Sequence, residues 1–329
     1  MFRAVLRSCA LLFTLAVPLL AGCAPTALHA AQPGTDPLDA QDLTPRPAGS
    51  PDVLVLAVSG RCPLPCRSPG DNIDYLTPRG TLAAVMATLQ AQGLSVQGYG
   101  AADHITHHRA VTIVQAQVGA GKTVPNEQDG FVQLDARLKD AYDAWIAGRS
   151  NPTRIVLLAH SHGVVWTHAL ARAHPEVPIS VMIDLDGVCD LWETDHRRPV
   201  QTYLQSLPRN PYGFDLSDSC GSVRVGHIRY DLKDVVYPNV AVNLEVQSQR
   251  LLSGQGGKMI ANLPFDALGN IRTDGSSGGI RTFRVNGETH SSVTLPGSRA
   301  VSWVRAELGT LSAHWGSGTT AAQPAPAAP

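Results

Sequence analysis

The sequence predicts an α/β fold in which a mostly parallel central sheet is covered by helices on both faces. Short apolar runs, such as residues 53–58 and 155–159, are continuous rather than alternating, which is typical of strands buried on both faces. Between such runs lie segments with apolar residues at helical spacing, for example Leu82, Val85 and Leu89. Strands that alternate with helices in this way favour a parallel sheet.

The elements can be followed along the chain. The apolar runs predict strands at residues 53–58, 94–99, 155–159, 179–185, 240–246 and 282–285, and residues 111–118 are expected to form an edge strand or part of a hairpin. Helices are predicted after Thr77-Pro78, from Phe131 to Trp145, after Ser161 and from Ser298 onwards.

Length and composition are those of a globular protein with a sizeable core. The chain has 329 residues, of which 43% are hydrophobic, so it can hold one large domain or two small ones. The formal net charge is −1, so bulk electrostatics give no indication of a nucleic-acid partner, and none is expected.

The N-terminus has the features of a targeting segment. Arg3 and Arg7 precede an apolar stretch at residues 10–20 that is too short for an ordinary membrane span. The following Leu20-Ala21-Gly22-Cys23 resembles the lipobox of bacterial lipoproteins, which implies a signal peptide at residues 1–22, lipidation of Cys23 and anchoring in the cell envelope. The alternative is an ordinary secretory signal cleaved near Ala30, which would release a soluble protein.

Composition also sets the expected domain limits. Residues 23–51 are rich in Pro, Ala, Gln, Asp and Thr and are predicted to form a disordered tether, and residues 316–329 a disordered tail. The folded domain is therefore expected at residues 52–315. Residues 190–238 make an unusually long connection, which we interpret as a lid or pocket wall.

Four cysteines remain in the predicted folded domain, and an exported protein is expected to oxidise them. Three pairings are possible, of which Cys62–Cys66 with Cys189–Cys220 is the simplest because each closes a local loop. A zinc site at Cys62 and Cys66 is disfavoured because no second cysteine pair lies near. The histidines His104, His107 and His108 are interpreted as part of a polar loop rather than a metal site, so no metal is expected.

The segment Ala159-His160-Ser161-His162-Gly163 follows a buried apolar run. It fits the pattern G-x-S-x-G, with alanine for the first glycine, that describes a strained turn from a strand into a helix. Such a turn presents its serine to a cleft, and Ser161 is therefore a candidate nucleophile. The alternative is a serine that caps a helix.

Further candidates follow other predicted strands. Asp184 and Asp186 stand at the end of residues 179–185, and His290 follows the last strand. Because the carboxyl ends of parallel strands meet at one edge, these side chains are expected to lie near Ser161. A serine nucleophile needs a histidine base, and a carboxylate must orient that histidine.

The order Ser…Asp…His resembles that of α/β-hydrolases, and the likeness extends over nearly all of the folded region. It implies a lipase- or esterase-like enzyme in which Ser161 attacks an acyl carbonyl and His290 is the base. The backbone N–H of His162 is expected to supply one oxyanion donor, and a second is expected near Gly60 or Arg61. No cofactor is expected.

The acid is the least determined residue. The family usually places it after the following strand, here residues 240–246, where no acid follows immediately. Some lipase-like relatives place it one strand earlier, which fits Asp184 or Asp186. Asp184 is favoured narrowly because it is the first polar residue after the apolar run, and Asp266 and Asp274 remain candidates.

The sequence thus predicts a serine hydrolase that cleaves carboxylic esters, including lipid esters, through an acyl-enzyme. A non-catalytic envelope binding protein with the same fold and an acyltransferase with the same triad are the alternatives. Acyl chain length and oligomeric state are left open by the sequence.

Overall fold

The computed structural model describes residues 43–63, 65–112, 117–249 and 268–316. The helices are α1 (Leu76–Arg79), α2 (Thr81–Gln90), α3 (Phe131–Ala141), α4 (Gly163–Ala173), α5 (Trp192–Ser206) and α6 (Arg299–Ser312). The strands are β1 (Val53–Val58), β2 (Val96–Ala101), β3 (His108–Arg109), β4 (Glu127–Gln128), β5 (Arg154–His160), β6 (Ile179–Leu185), β7 (Ser222–Val225), β8 (Ile228–Asp231), β9 (Val235–Val236), β10 (Val240–Ser248), β11 (Ile271–Arg272) and β12 (Ile280–Val285).

Six of these strands form the central sheet in the order β12-β10-β6-β5-β1-β2. Every neighbouring pair in it is parallel. The predicted α/β-hydrolase-like fold, with a mostly parallel central sheet, is thereby confirmed. β5 lies in the interior of the sheet, between β1 and β6, so the turn that follows it opens at the middle of the carboxyl edge.

Helices cover both faces of this sheet. Val53, Val55 and Ala57 of β1 belong to a buried cluster with apolar residues of α2 and α6. The alternate residues of β1 belong to a second buried cluster with residues of α3, α4 and α5. The alternation follows from strand geometry, since successive side chains point to opposite faces. It explains why the strand is apolar along its whole length.

The segment 190–238 is more regular than its sequence suggests. It contains α5, the antiparallel hairpin of β7 and β8, and short helical turns at Leu216–Asp218 and Leu232–Asp234. Cys189 and Cys220 form a disulfide with a Cα–Cα distance of 5.6 Å. The other expected local pairing, Cys62 with Cys66, is also present.

The folded region begins earlier than Asp52. Thr44 donates its N–H to the carbonyl of Gly148 at 3.1 Å and forms an isolated bridge with Arg149. The backbone N–H of Arg46 donates to the side chain of Asn151 at 2.8 Å. Residues 43–51, assigned to the tether by composition, therefore pack on the domain through hydrogen bonds that composition does not reveal.

Several predicted features lie outside the described residues. These are the signal peptide at 1–22, the lipidated Cys23, the tether before residue 43, the middle of the expected strand at 111–118, the candidate acid Asp266 and the tail after residue 316. Within the described ranges, no helix combines the length and the apolar character needed to cross a bilayer.

We expect Gly163→Ala to destabilise the fold. A Cβ at position 163 would lie 2.2 Å from the carbonyl oxygen of Val58, because α4 begins against the end of β1. Overpacking of this kind costs about 1–3 kcal/mol in unfolding free energy, measurable by urea denaturation. Gly278→Ala is the control, since a Cβ there meets nothing within 4 Å. Equal stability of the two variants would contradict the close approach of α4 to β1.

Candidate active site

Ser161 sits in a strained turn between β5 and α4. Its φ is 58°, in the left-handed region that residues other than glycine rarely adopt. The turn is crowded, because a Cβ on Gly60 would lie 2.4 Å from the Cβ of Ser161 and 2.7 Å from the carbonyl oxygen of His160. Only glycine at position 60 lets the loop after β1 pass this close. The conformation directs the Ser161 hydroxyl outward from the carboxyl edge.

His290 contacts the serine from the loop after β12. Its Nε2 lies 2.8 Å from Oγ of Ser161, and its Nδ1 lies 2.7 Å from Oδ2 of Asp186. The side chain of His290 is 16% exposed, while that of Asp186 is fully buried. A carboxylate can only accept, so Nδ1 carries the proton and Nε2 of the neutral ring accepts from the serine hydroxyl. The three side chains thus form one hydrogen-bonded chain.

Asp186 is held firmly in its ionised form. Oδ1 accepts from the backbone N–H of Ser248 at 2.7 Å, and Oδ2 accepts from the Ser248 hydroxyl at 2.6 Å. Burial by itself raises the pKa of Asp186. The hydrogen bond from His290, the positive charge that His290 carries when protonated, and the two bonds from Ser248 outweigh burial and leave the pKa of Asp186 below its ordinary value. The carboxylate is therefore charged at neutral pH and holds His290 in one orientation.

Asp184 is not the carboxylate that contacts His290, so the narrow preference for it is replaced by Asp186. Oδ2 of Asp184 accepts from His168 at 3.0 Å, from Asn243 at 2.6 Å and from Asn270 at 2.9 Å. The physical reason is the end of the strand. Asp184 is still inside β6, whereas Asp186 follows its last residue and has a φ of 52°, which turns its side chain towards the carboxyl edge.

The later acid candidates are placed as follows. The Asp274 side chain accepts from the backbone N–H of Ser276 at 2.9 Å, in an exposed turn after β11. Asp266 lies outside the described residues.

The residues expected to supply the two oxyanion donors, His162 and either Gly60 or Arg61, differ in the availability of their backbone N–H groups. The backbone N–H of Gly60 donates to the hydroxyl of Tyr75 at 2.8 Å, so it is withdrawn from any ligand. The backbone N–H groups of His162 and Arg61 donate to no acceptor within the described part of the chain. A Cβ on Gly60 would lie 3.0 Å from the N of His162, which places the loop after β1 beside the start of α4. Of the two alternatives for the second donor, the Arg61 N–H is therefore available and the Gly60 N–H is not.

Sequence reasoning missed two neighbours of the site, His160 and Tyr75. His160 lies in the turn at residues 159–163, called here the elbow, and donates Nε2–H to the backbone carbonyl of His290 at 2.6 Å. Its Nδ1 accepts from the hydroxyl of Tyr75, which itself accepts from Gly60. Burial and the nearby charges of His290 and Arg79 hold the pKa of His160 well below its ordinary value, so the ring is neutral.

This buried chain links the loop after β1, the elbow and the loop that carries His290. No local pattern marks it, because Tyr75 and His160 are separated by 85 positions and either residue alone fits an ordinary core.

No protein-family model and no curated protein matches the chain. Among solved structures, an esterase domain from Rhodothermus marinus is 14% identical over 82% of this chain and 90% of its own, with a TM-score of 0.36. An esterase from Pyrococcus furiosus is 11% identical over 79% and 80%, with a TM-score of 0.39. At such low similarity the fold assignment rests on the strand order and the elbow described above.

Removing the Tyr75 hydroxyl is expected to destabilise the protein. Tyr75→Phe leaves the Gly60 N–H and His160 Nδ1 buried without their shared partner, at a cost of about 1–3 kcal/mol. Thermal or urea unfolding measures this loss. Tyr142→Phe is the matched control, since its hydroxyl has no hydrogen bond in the described ranges, and a change within about 0.5 kcal/mol is expected. A Tyr75→Phe protein as stable as the control would contradict the structural importance of the chain.

Proposed function

We propose that this protein is a serine hydrolase that cleaves carboxylic esters through an acyl-enzyme intermediate. The observation that carries the proposal is the chain from Ser161 through His290 to Asp186, with contacts of 2.8 and 2.7 Å, at a strained strand-to-helix turn. A serine hydroxyl is a weak nucleophile and needs such a base. The backbone strain at Ser161 is of the kind found at functional sites rather than at ordinary helix caps.

In the acylation step, Oγ of Ser161 attacks the acyl carbonyl carbon while Nε2 of His290 takes the hydroxyl proton. The resulting imidazolium is stabilised by the ionised Asp186. Collapse of the tetrahedral intermediate breaks the bond to the alcohol oxygen, and His290 returns the proton to that leaving alcohol. The acyl group is then bound to Ser161 as an ester.

The negative charge on the tetrahedral oxygen needs donors that are already in place. The backbone N–H groups of His162 and Arg61 are assigned this role, because both are free of acceptors in the described part of the chain. Each donor of this type is worth about 3 kcal/mol of transition-state stabilisation. Arg61 is held in position by its side chain, whose Nε donates to Asp195 at 2.6 Å.

Water completes the reaction. His290 removes a proton from a water molecule that attacks the acyl carbon, and the proton then passes to Oγ of Ser161 as the ester bond breaks. The products are a carboxylic acid and the regenerated serine.

The substrate class extends to lipid esters if the chain is anchored as its N-terminus suggests. Lipidation of Cys23 would hold the enzyme at a membrane surface in the cell envelope, next to ester-linked lipids. Segment 190–238 would form the pocket wall, because Asp195 contacts Arg61 beside the elbow.

Labelling by a fluorophosphonate probe tests the nucleophile. We expect the wild-type protein to be labelled covalently and Ser161→Ala to remain unlabelled. Ser302→Ala is the labelled control, because this exposed serine of α6 bonds only within its own helix in the described part of the chain. The adduct is read by intact-mass spectrometry. A folded wild-type protein that takes up no probe would support the non-catalytic binding protein instead. Added alcohols converted into new esters, rather than released acid, would indicate the acyltransferase.

The two aspartates are expected to respond differently in hydrolysis of p-nitrophenyl esters of graded acyl length. Asp186→Asn keeps the shape but removes the charge that orients His290, and kcat is expected to fall by about 10³-fold or more. Asp184→Asn alters a buried network with His168 and is expected to lower stability while keeping kcat within about tenfold. Equal loss of kcat in the two folded variants would contradict the assignment of Asp186.

A further inference from the structure

Three buried side chains lie together behind the elbow. Asp103 follows β2, His162 precedes α4 and His196 lies on α5, and each is at most 2% exposed. One ligand atom from each residue lies within 4.8 Å of those of the other two. The three residues are called here the Asp–His–His cluster. They are not needed for proton transfer between Ser161 and His290.

The hydrogen bonds of His162 determine which of its nitrogens faces the cluster as a ligand. Nε2 lies 2.7 Å from the backbone carbonyl of Asp190 and must donate, since a carbonyl only accepts. In the neutral ring, Nδ1 then presents a lone pair to Oδ2 of Asp103 at 3.1 Å. Two lone pairs that face each other in a dry interior require a cation between them, either a proton or a metal ion. In metal sites, the histidine nitrogen that does not bind the metal usually donates its N–H to a carbonyl or carboxylate, as Nε2 of His162 does here.

His196 adds an independent observation. Its Nε2 lies 2.8 Å from Oδ1 of Asp103, but the contact is poorly aligned for a hydrogen bond. Its Nδ1 also has no hydrogen-bond partner in the described residues, although the side chain is fully buried. Metal ligands point at a common ion and not at one another, so a short but off-axis contact is the geometry expected of two ligands on one ion.

The separations fit a small tetrahedral ion. Ligand atoms about 2.0–2.2 Å from zinc lie about 3.3–3.6 Å apart at tetrahedral angles. His196 Nε2 lies 2.8 Å from Oδ1 of Asp103, and His162 Nδ1 lies 3.1 Å from Oδ2, so both rings would move outward by a few tenths of an ångström to admit the ion. Histidine nitrogen and carboxylate oxygen are zinc ligands, whereas calcium and magnesium prefer oxygen alone.

The surroundings would orient the carboxylate. Trp166 donates its indole N–H to Oδ1 of Asp103 at 2.7 Å, and Asn72 donates to Oδ2 at 3.2 Å. The rings of Trp166 and Trp192 pack on His196 with centroid distances of 5.4 and 5.0 Å. Such hydrogen-bonded ligands within an apolar wall are typical of the shell around a bound metal.

We propose that Asp103, His162 and His196 bind one Zn²⁺ ion, with the fourth coordination position left to water. The ion would join α5 of segment 190–238 to the loop after β2 and to the residue that follows Ser161. It would thereby fix the backbone N–H of His162 at the candidate oxyanion site. The proposal does not depend on ester hydrolysis, because metal binding is measured without a substrate.

The competing arrangement is metal-free, with protons in place of zinc. Burial opposes a charge on His162, but the hydrogen bond and charge of Asp103 outweigh it, so without a metal the pKa of His162 lies above its ordinary value. A protonated His162 would satisfy Asp103 and leave both nitrogens of His196 without hydrogen bonds.

The test is metal analysis of the full chain, produced without a histidine tag in zinc-supplemented medium and desalted by gel filtration. Elemental mass spectrometry of the acid-digested protein is expected to find about one zinc per chain, since three protein ligands define one site. His196→Ala and Asp103→Asn are expected to lose the zinc. His174→Ala is the matched control and is expected to keep it, because His174 contacts the carboxylates of Asp135 and Glu176 outside the cluster.

A second measurement covers the case in which the variants fail to fold. X-ray absorption at the zinc edge of the wild-type protein is expected to show only nitrogen and oxygen ligands, with the scattering pattern of two imidazoles. Zinc-free wild-type protein from this medium, zinc retained by His196→Ala, or a spectrum without two imidazoles would overturn the proposal. In the zinc-free case the metal-free cluster with a protonated His162 is the correct description.

Discussion

The left-handed turn at Ser161 is the constraint on which the rest of the site depends. A φ of 58° strains the backbone of any residue that carries a side chain. Such a conformation persists only where the surrounding contacts hold the residue in place. Here these contacts come from the close approach of Gly60 and Gly163, where a Cβ would meet backbone or side-chain atoms at 2.2–2.7 Å. Both glycines lie where the end of β1 meets the elbow.

The turn at Ser161 also takes part in a buried chain of hydrogen bonds through Tyr75 and His160. This chain connects the loop after β1 with the loop after β12, which are distant along the sequence and lie on opposite sides of β5 in the sheet. A neutral His160 can accept on one nitrogen and donate on the other, so one ring holds both loops. The spacing between Ser161 and His290 is therefore set by hydrogen bonds as well as by packing.

Segment 190–238 is tied to the elbow at several points. The disulfide between Cys189 and Cys220 closes its base, Asp190 accepts from His162, and Asp195 binds Arg61. The contacts of Asp190 and Asp195 join the start of α5 to the residues around Ser161. Its proposed zinc ligand, His196, would add a further connection between this segment and His162, the residue that follows Ser161.

The sequence by itself determined the parallel sheet, the elbow and the approximate position of the histidine after the last strand. These features depend on local periodicity and on small residues at fixed spacing, which are visible in a single chain. It also favoured the local cysteine pairs, because short loops close most simply.

Only the tertiary structure decided between Asp184 and Asp186, since strand periodicity places both on one side until the strand ends. The tertiary structure also showed that the Gly60 N–H donates to the hydroxyl of Tyr75, 15 positions away, and so cannot serve as an oxyanion donor. It also brought Asp103 and His196 to His162, across 59 residues in one direction and 34 in the other. These contacts depend on where a strand ends and on which side chains from distant parts of the chain lie nearby. Neither can be read from the spacing of neighbouring residues.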